Sequence, residues 1–334
     1  CFSLTEKSEL RLAEKVKQNK TRVFMASDMH HLIVSKMLMN KFHNVLMDTL
    51  GQHPITIGLQ IPGPQYVRFL SKCSNWFDGD VSGCDQRFSL RIARMIRDLK
   101  KTFIPTQYHD ALDILYDWVY CGVAAGLGGL WRIYHNKSGW EGTAHDNSLM
   151  SWICLLIGFR MEYPDRPLDQ LDLWVNGDDH VVNLPMMCDF RSVCLALNPY
   201  GFIVEVIDWT RKSPFEVVYL SHHLKERYVR GFGDFVIAAG NLPKLRSSLG
   251  WINYSGSLSF EETCVAHLIG LRICLFPWKD DFERVDAILS DYLRKIVITP
   301  FVSTILAARL SEVEMARLHT KVESVLFFLS PSGF

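Results

Sequence analysis

The segment that most constrains this chain is residues 171–184, LDLWV-NGDD-HVVNL. "LDLWV" alternates apolar and polar side chains, the period of a strand, and "HVVNL" returns as a second strand. Asn176-Gly177 between them is the strongest short-range signal for a hairpin, because a tight connection needs residues that tolerate positive φ. The chain must therefore place Asp178 and Asp179 at the tip of a β-hairpin.

Other elements fall around this hairpin. Asn75 to Asp85, "NWFDGDVSGCD", reads as a short strand running into a loop. Gln86 to Lys101 carries Phe88, Ile92, Met95, Ile96 and Leu99 at helical spacing, which predicts an amphipathic helix. After the polar stretch "HNKSGWEG", Thr143 to Phe159 reads as a mostly buried helix. Phe190 to Leu197 reads as a helix and Phe202 to Ile207 as a strand, and "FEVVYLSHHL" after Pro214 has the pattern of a further hairpin. From about residue 225 helical periodicity dominates, notably over 258–275, 280–296 and 299–329. The order is a β-α-β-β-α-β-like core with a helical C-terminal domain, an α+β fold.

Composition narrows the class. With 334 residues the chain exceeds a single core, so two or three packed subdomains are expected. A 48% hydrophobic, 22% charged composition excludes a disordered or fibrous chain. Lys plus Arg equals Asp plus Glu at 36 each, so any grip on nucleic acid must come from local clusters. One such cluster opens the chain, with Lys7, Arg11, Lys15, Lys17, Lys20 and Arg22. The longest nearly apolar stretch, Leu149 to Phe159, is far short of a membrane span, and the charged start of the sequence does not read as a secretory signal. The nine cysteines hold no C-x-x-C pair and read as reduced, mostly buried thiols. Because residue 1 is Cys and not Met, the chain reads as a piece of a longer one or a cleaved product.

The chemistry lies in the carboxylates. Asp80 ends the first strand, Asp85 follows five positions later, and Asp178–Asp179 sit at the hairpin tip. Asp-Asp in a turn is weak evidence alone, since Asp favours turns. Two strands of one sheet that set Asp80 beside Asp178 change this, because paired carboxylates repel unless a cation joins them. The hard cation that bridges carboxylates and phosphates is Mg²⁺. A pair of Mg²⁺ ions, with Mn²⁺ as a substitute, suits in-line phosphoryl displacement and hence nucleotidyl transfer. Between the carboxylates, "SGWEGTAHDN" presents Ser138, Gly139, Thr143 and Asn147, and Thr143 and Asn147 share a helix face at i, i+4.

Taken together, these motifs resemble those of the viral RNA-dependent RNA polymerases, especially the positive-strand, picornavirus-like branch. The family's motifs F, A, B, C, D and E can be followed in order over about residues 7–224. "GDVSGCD" is similar to motif A, "SGWEGTAHDN" to motif B and "NGDD" to motif C. "KSELRLAEKVKQNKTRVFMAS" resembles motif F and its lead-in, with Lys15, Lys20 and Arg22 in step. "YGFIVEV" and "YLSHHL" are similar to motifs D and E.

The resemblance implies roles. Lys15, Lys20 and Arg22 would reach the incoming triphosphate. Asp80 and Asp178 would hold both metals, with Asp179 assisting. Asp85, Ser138, Gly139, Thr143 and Asn147 would bind the nucleotide and surround its ribose 2′-hydroxyl, a group that both donates and accepts hydrogen bonds. Lys212 is the candidate general acid for pyrophosphate, with Arg211 as its rival. RNA template, RNA primer or product and ribonucleoside triphosphates would be the partners, with other viral replication proteins. By resemblance alone, the setting is the host cytoplasm at membrane-associated replication complexes. Three positions depart from the pattern: Asn176 stands where relatives carry an aromatic, Asn19 replaces a glycine, and Arg87 has no counterpart. The pairs His30–His31 and His222–His223, and Cys188 with Cys194, lack ligand spacing.

The implied architecture is a right-hand polymerase with an antiparallel palm sheet flanked by helices. Residues 1–38 and 117–135 would be partial fingers, 39–116 and 136–224 palm, and 225–334 a helical thumb. The family's N-terminal fingers, including the template-guiding motif G, are expected before Cys1, so these residues correspond to the C-terminal two-thirds of a polymerase. A reverse transcriptase shares the palm carboxylates but carries a bulky side chain in place of Asp85 and lacks the Thr143–Asn147 pair. A degenerate palm kept as an RNA-binding scaffold should have lost a metal carboxylate, and all three are present.

Overall fold

The computed structural model describes residues 2–6, 17, 23–61, 63–72, 74–87, 89–126, 128–206, 208–252, 257–307 and 320–321. Lys15, Lys20, Arg22 and Phe88 lie outside the described residues. The chain divides into two compact units: Cys1–Gly58 with Phe77–Trp209, and Leu59–Trp76 with Thr210–Phe334. The stretches 59–76 and 210–224, inside the palm bounds that the resemblance implies, belong to the second unit.

Two sheets organise the first unit. One joins β1 (Phe2–Glu6), β2 (Val23–Ala26), β4 (Val123–Gly126) and β5 (Gly129–Arg132) in the order β2-β1-β4-β5, with β1 and β4 parallel. It unites the two stretches that the resemblance assigns to fingers. The other joins β3 (Phe77–Val81), β6 (Asp172–Asn176), β7 (Asp179–Asn183) and β8 (Val204–Glu205) in the order β6-β7-β3-β8, antiparallel throughout. Its register sets Asp80 opposite Asp179 on one side and Glu205 on the other.

The hairpin forms as its alternation and Asn-Gly turn require, but it does not face water on one side. Leu173, Trp174 and Val175 are all buried, as are His180, Val181 and Val182. Helices α1 (Met29–Asp48), α2 (Leu90–Lys101), α3 (His109–Cys121), α4 (Thr143–Glu162) and α5 (Phe190–Leu197) complete the unit, and α4 packs on both β6 and α5. Phe159, Phe190, Leu155 and Val182 share its core.

Some boundaries differ from the sequence reading. The helix expected over 86–101 is two: a single turn at Cys84–Arg87, then α2. Ser89 divides them, since it adopts extended φ and ψ and its hydroxyl accepts from the Ile92 N–H at 3.3 Å, an N-cap. Among the described residues, the strand expected over 202–207 pairs at Val204–Glu205 alone.

After residue 225, where helical periodicity dominates the sequence, the second unit also holds a sheet. Strands β9 (His222–Val229) and β10 (Gly233–Gly240) form an antiparallel hairpin, extended by β11 (Thr320–Lys321). Gly231 and Gly233 take φ of +82° and +87° at the connection, so "RGFGD" was a turn signal and "FVIAAG" a buried strand. Among the described residues the helices α6 (Leu242–Ser248), α7 (Phe260–Cys274), α8 (Lys279–Leu293) and α9 (Pro300–Ala307) follow. A capping box of Ser259 and Glu262 starts α7, and Val265, Leu275, Val285, Leu289 and Val302 form the helical core. The helix expected over 299–329 does not run through Thr320–Lys321, which are β11. In "YLSHHL", Tyr219 and His222 exchange backbone hydrogen bonds of 2.8 and 2.9 Å across a turn where Leu220 and Ser221 take φ of 53° and 60°. Among the described residues no helix is long and apolar enough to cross a membrane.

Candidate active site

The carboxylate cluster is built by the β3–β7 register. Asp80 lies next to the end of β3, and the N–H of the following Val81 donates to the Asp178 carbonyl at 3.1 Å. Burial pushes the Asp80 carboxyl up to about 6, and the negative charges of Asp178 and Glu205 add to the effect. Glu205 went unnoticed in the sequence, because only the pairing of β8 with β3 brings it to Asp80. Gly177 at the turn takes φ of +67°, as this connection requires.

Helix α4 anchors that turn from beneath. The Gly177 N–H donates to Ser148 Oγ at 2.7 Å, and Ser148 Oγ donates to Ala144 O at 2.8 Å. Ser151 Oγ donates to the Gly177 carbonyl at 2.8 Å. Both serines are wholly buried, and so both backbone groups of the turn glycine are satisfied. Gly79 lets β3 approach β7: a Cβ there would lie 2.7 Å from His180 Nε2 and 2.9 Å from Val204 Cγ1. Burial pushes the His180 imidazole down to about 4, so it is neutral at pH 7. Its Nδ1 lies 3.1 Å from the Asp178 carbonyl, an acceptor, so Nδ1 carries the proton. Asn176 donates to the Thr56 carbonyl at 3.2 Å, tying the hairpin to Pro54–Thr56, whose backbone flanks Val175.

Behind the cluster, α4 carries the polar residues of the motif-B-like segment. Asn147 Nδ2 donates to Asp85 Oδ1 at 2.7 Å, so two residues 62 positions apart meet. Asn147 Oδ1 accepts from Asn136 Nδ2 at 2.7 Å, and Asn136 Oδ1 accepts from Trp140 Nε1 at 2.8 Å. In the sequence Trp140 flanks the motif-B-like residues and Asn136 lies in the polar stretch before them, and nothing in their spacing announces this contact. The other candidates there do structural work. Thr143 Oγ1 lies 2.6 Å from Lys137 O and 2.8 Å from Trp140 O, closing the loop. Ser138 Oγ accepts from the Met25 N–H at 3.3 Å, and Gly139 packs so tightly on β2 that a Cβ would lie 2.0 Å from Met25 O.

Next to Asn147, Asp146 forms a fully buried ion pair with Lys100 at 2.5 Å. Tyr116 and Tyr120 hydroxyls donate to the same carboxylate at 3.0 and 2.8 Å. Arg87 is explained by geometry: Nε donates to Ser82 O at 2.5 Å and Nη1 to Gly201 O at 3.0 Å, joining the loop after β3 to the turn before β8. Lys212 lies in the second unit, where its backbone exchanges two 2.8 Å hydrogen bonds with Trp76.

Whether these carboxylates suit a dication is a question of charge and donor type. Asp80 is held protonation-prone by burial beside Asp178 and Glu205, the condition that a divalent cation relieves. Among the described residues no group of three or more His, Cys, Asp or Glu side chains is arranged to hold an ion alone. Mg²⁺ needs no such cage, because it is held by one or two carboxylates together with substrate phosphates and water. The donor set fits.

Comparison with known proteins then decides the family. The family model "Viral RNA-dependent RNA polymerase" matches residues 2–236, well over half of the chain. The chain belongs to that family. It is 31% identical over 184 residues to Genome polyprotein 1 of Barley yellow mosaic virus (isolate Germany), covering 52% of the chain and 8% of the polyprotein. It is 27% identical over 253 residues to the Genome polyprotein of Sweet potato mild mottle virus (isolate Salazar), covering 67% of the chain and 7% of the polyprotein. The chain thus spans less than a tenth of these relatives. The solved structure of a Sicinivirus 3Dpol RNA dependent RNA polymerase superposes with a TM-score of 0.73 at 17% identity, over 93% of this chain and 68% of that one. The fold is therefore that of the right-hand RNA polymerases.

Proposed function

We propose that the protein copies RNA from ribonucleoside triphosphates on an RNA template, in viral genome replication. The observation that carries this reading is the meeting of Asp80, Asp178 and Glu205 on one sheet, with Asn147 hydrogen-bonded to Asp85 beside them. Asp80 and Asp178 would hold two Mg²⁺ ions, with Asp179 next to them. Bound there, the ions would neutralise and align the attacking and leaving oxygens of an in-line displacement.

The chain's own residues do the rest. Ser148 and Ser151 fix the Gly177 peptides, so Asp178 is presented by a turn with little freedom. His180, neutral and facing inward, adds no positive charge that would compete for the carboxylates. Asp85 and Asn147 offer an acceptor and an amide to a ribose 2′-hydroxyl. Lys212 would protonate the departing pyrophosphate, and Lys15, Lys20 and Arg22 would hold the triphosphate. Replication would run with other viral proteins at membranes of the host cytoplasm.

Primer extension on an RNA template separates the readings. Incorporation of ribonucleotides far above deoxyribonucleotides is expected; a preference for deoxyribonucleotides would make the protein a reverse transcriptase, and RNA binding without extension would make it a scaffold.

A further inference from the structure

Deepening the sugar-site reading, and resting on it, we infer that Trp140 and Asn136 are positioning residues that set which way the Asn147 amide faces, and so control ribose selection. The three contacts form one line: Trp140 Nε1 to Asn136 Oδ1 at 2.8 Å, Asn136 Nδ2 to Asn147 Oδ1 at 2.7 Å, and Asn147 Nδ2 to Asp85 Oδ1 at 2.7 Å. The two ends are of opposite kind. An indole N–H can only donate, and an ionised carboxylate can only accept. Each primary amide between them has one donating and one accepting end. Turning both amides over would aim an NH₂ at the indole N–H and an oxygen at the carboxylate. Turning either alone would pair two like ends at their shared contact and a second like pair at the indole or the carboxylate. Only the observed sense satisfies all three contacts.

Water is excluded from the inner part of this line, so no solvent molecule substitutes for a lost partner. Asn136 is 0% exposed, Trp140 4% and Asn147 8%. Asn136 is fixed further by its own N–H, which donates to the Asp85 carbonyl at 3.1 Å, and by a second Nδ2 contact to Thr143 O at 3.3 Å. The indole is held in turn by edge contacts with Tyr116 and Tyr120, at 5.9 and 6.4 Å between ring centroids. The direction of the Asn147 amide is thus held from both ends, by the Asp85 carboxylate and, through Asn136, by an indole seven residues away.

Without the indole N–H, Asn136 Oδ1 is left without its donor and only the Thr143 contact still holds that amide, so Asn147 Oδ1 loses a firmly held donor and its amide is free to turn away from Asp85. The pair then no longer offers the 2′-hydroxyl one donor and one acceptor. Catalysis with a sugar lacking that hydroxyl makes no use of the pair, so deoxyribonucleotide incorporation should not change.

The test is kcat/KM for ATP and for dATP in the intact enzyme, for wild type, Trp140→Phe, Asn136→Ala and Asn147→Ala. Trp140→Phe keeps an aromatic ring in the packing and removes the N–H. We expect ATP kcat/KM to fall about threefold to thirtyfold, the factor that one lost buried hydrogen bond is worth. The dATP value should stay within twofold, and Asn136→Ala should behave likewise. General damage to the fold would lower both substrates together, which overturns the relay. If Asn147→Ala narrows the ATP/dATP ratio but both other variants leave it unchanged, the relay is wrong and the sugar-site reading stands. If Asn147→Ala leaves the ratio unchanged, the sugar-site reading falls and the relay with it.

Discussion

Removing Lys100 should destabilise the first unit by far more than a surface charge would. Its ammonium pairs with Asp146 at 2.5 Å, with both side chains wholly buried. The ammonium also lies 5.5, 5.6 and 5.7 Å from the ring centroids of Phe42, Tyr116 and Trp140, within cation–π range of three rings. Lys100→Met keeps most of the aliphatic stem and deletes the charge, stranding a carboxylate that retains the Tyr116 and Tyr120 hydroxyls. Breaking a buried pair from one side costs roughly 3–5 kcal/mol, because the other charge is left uncompensated. For a unit of this size that is a melting-temperature loss of roughly 6–20 °C. Asp146→Asn should cost a similar amount, leaving the ammonium stranded. The double variant Lys100→Met with Asp146→Asn carries no buried charge and keeps an acceptor for the tyrosines, so it should recover most of the loss. Thermal unfolding of the four proteins by calorimetry gives the coupling directly. A Lys100→Met protein melting within about 3 °C of wild type, or a double variant worse than both singles, would refute this reasoning.

Acid should weaken the fold through histidines buried neutral. Burial, with the neighbouring His43 and Lys100 charges, pushes His145 down to about 2, and burial takes His180 to about 4. Below about pH 6.5 the unfolded chain binds more protons at these histidines, so stability present above that pH is lost as pH falls, by roughly 2 kcal/mol for each of the two at pH 5; urea midpoints at pH 7 and 5 should show it, and His145→Phe should shrink the difference. An equal pH dependence in wild type and variant would count against the assignment. Gly139→Ala must push β2 and the 138–142 loop apart, since its Cβ would sit 2.0 Å from Met25 O, and extension should fall at least about tenfold, since a misplaced site loses about that much or more. Ser148→Ala with Ser151→Ala strands both Gly177 backbone groups at about 1–3 kcal/mol each, and steady-state kinetics should show kcat falling more than KM rises.

Much of the site was legible because its chemistry is local. The hairpin needs only alternation around Asn176-Gly177, and the segment after "SGWEGT" needs only an apolar run to read as a helix. What escaped is what only tertiary pairing brings together. Glu205 reaches Asp80 through a two-residue strand too short to leave a pattern. Asn136 lies in the polar stretch "HNKSGWEG", and nothing in its spacing from Trp140 announces the hydrogen bond that joins them. The β9–β10 hairpin left no clear signal because "FVIAAG" is buried along its whole length and shows no alternation, so periodicity could not tell a covered strand from a helix. Lys100 sat on the apolar side of an amphipathic helix with nothing in its neighbours to announce the Asp146 charge 46 residues later.

The most direct measurement is primer extension on an RNA template by Asp178→Asn beside the wild-type enzyme, with circular dichroism to establish equal folding. Asp178 raises the Asp80 carboxyl from the turn beside it, so loss of that charge leaves the metal pair incomplete. Positioning and charge neutralisation supply nearly all of the rate in phosphoryl transfer, so extension should fall by roughly three orders of magnitude or more with the fold intact. Extension by a folded Asp178→Asn protein within about tenfold of wild type would contradict a reaction run by the carboxylates of this hairpin.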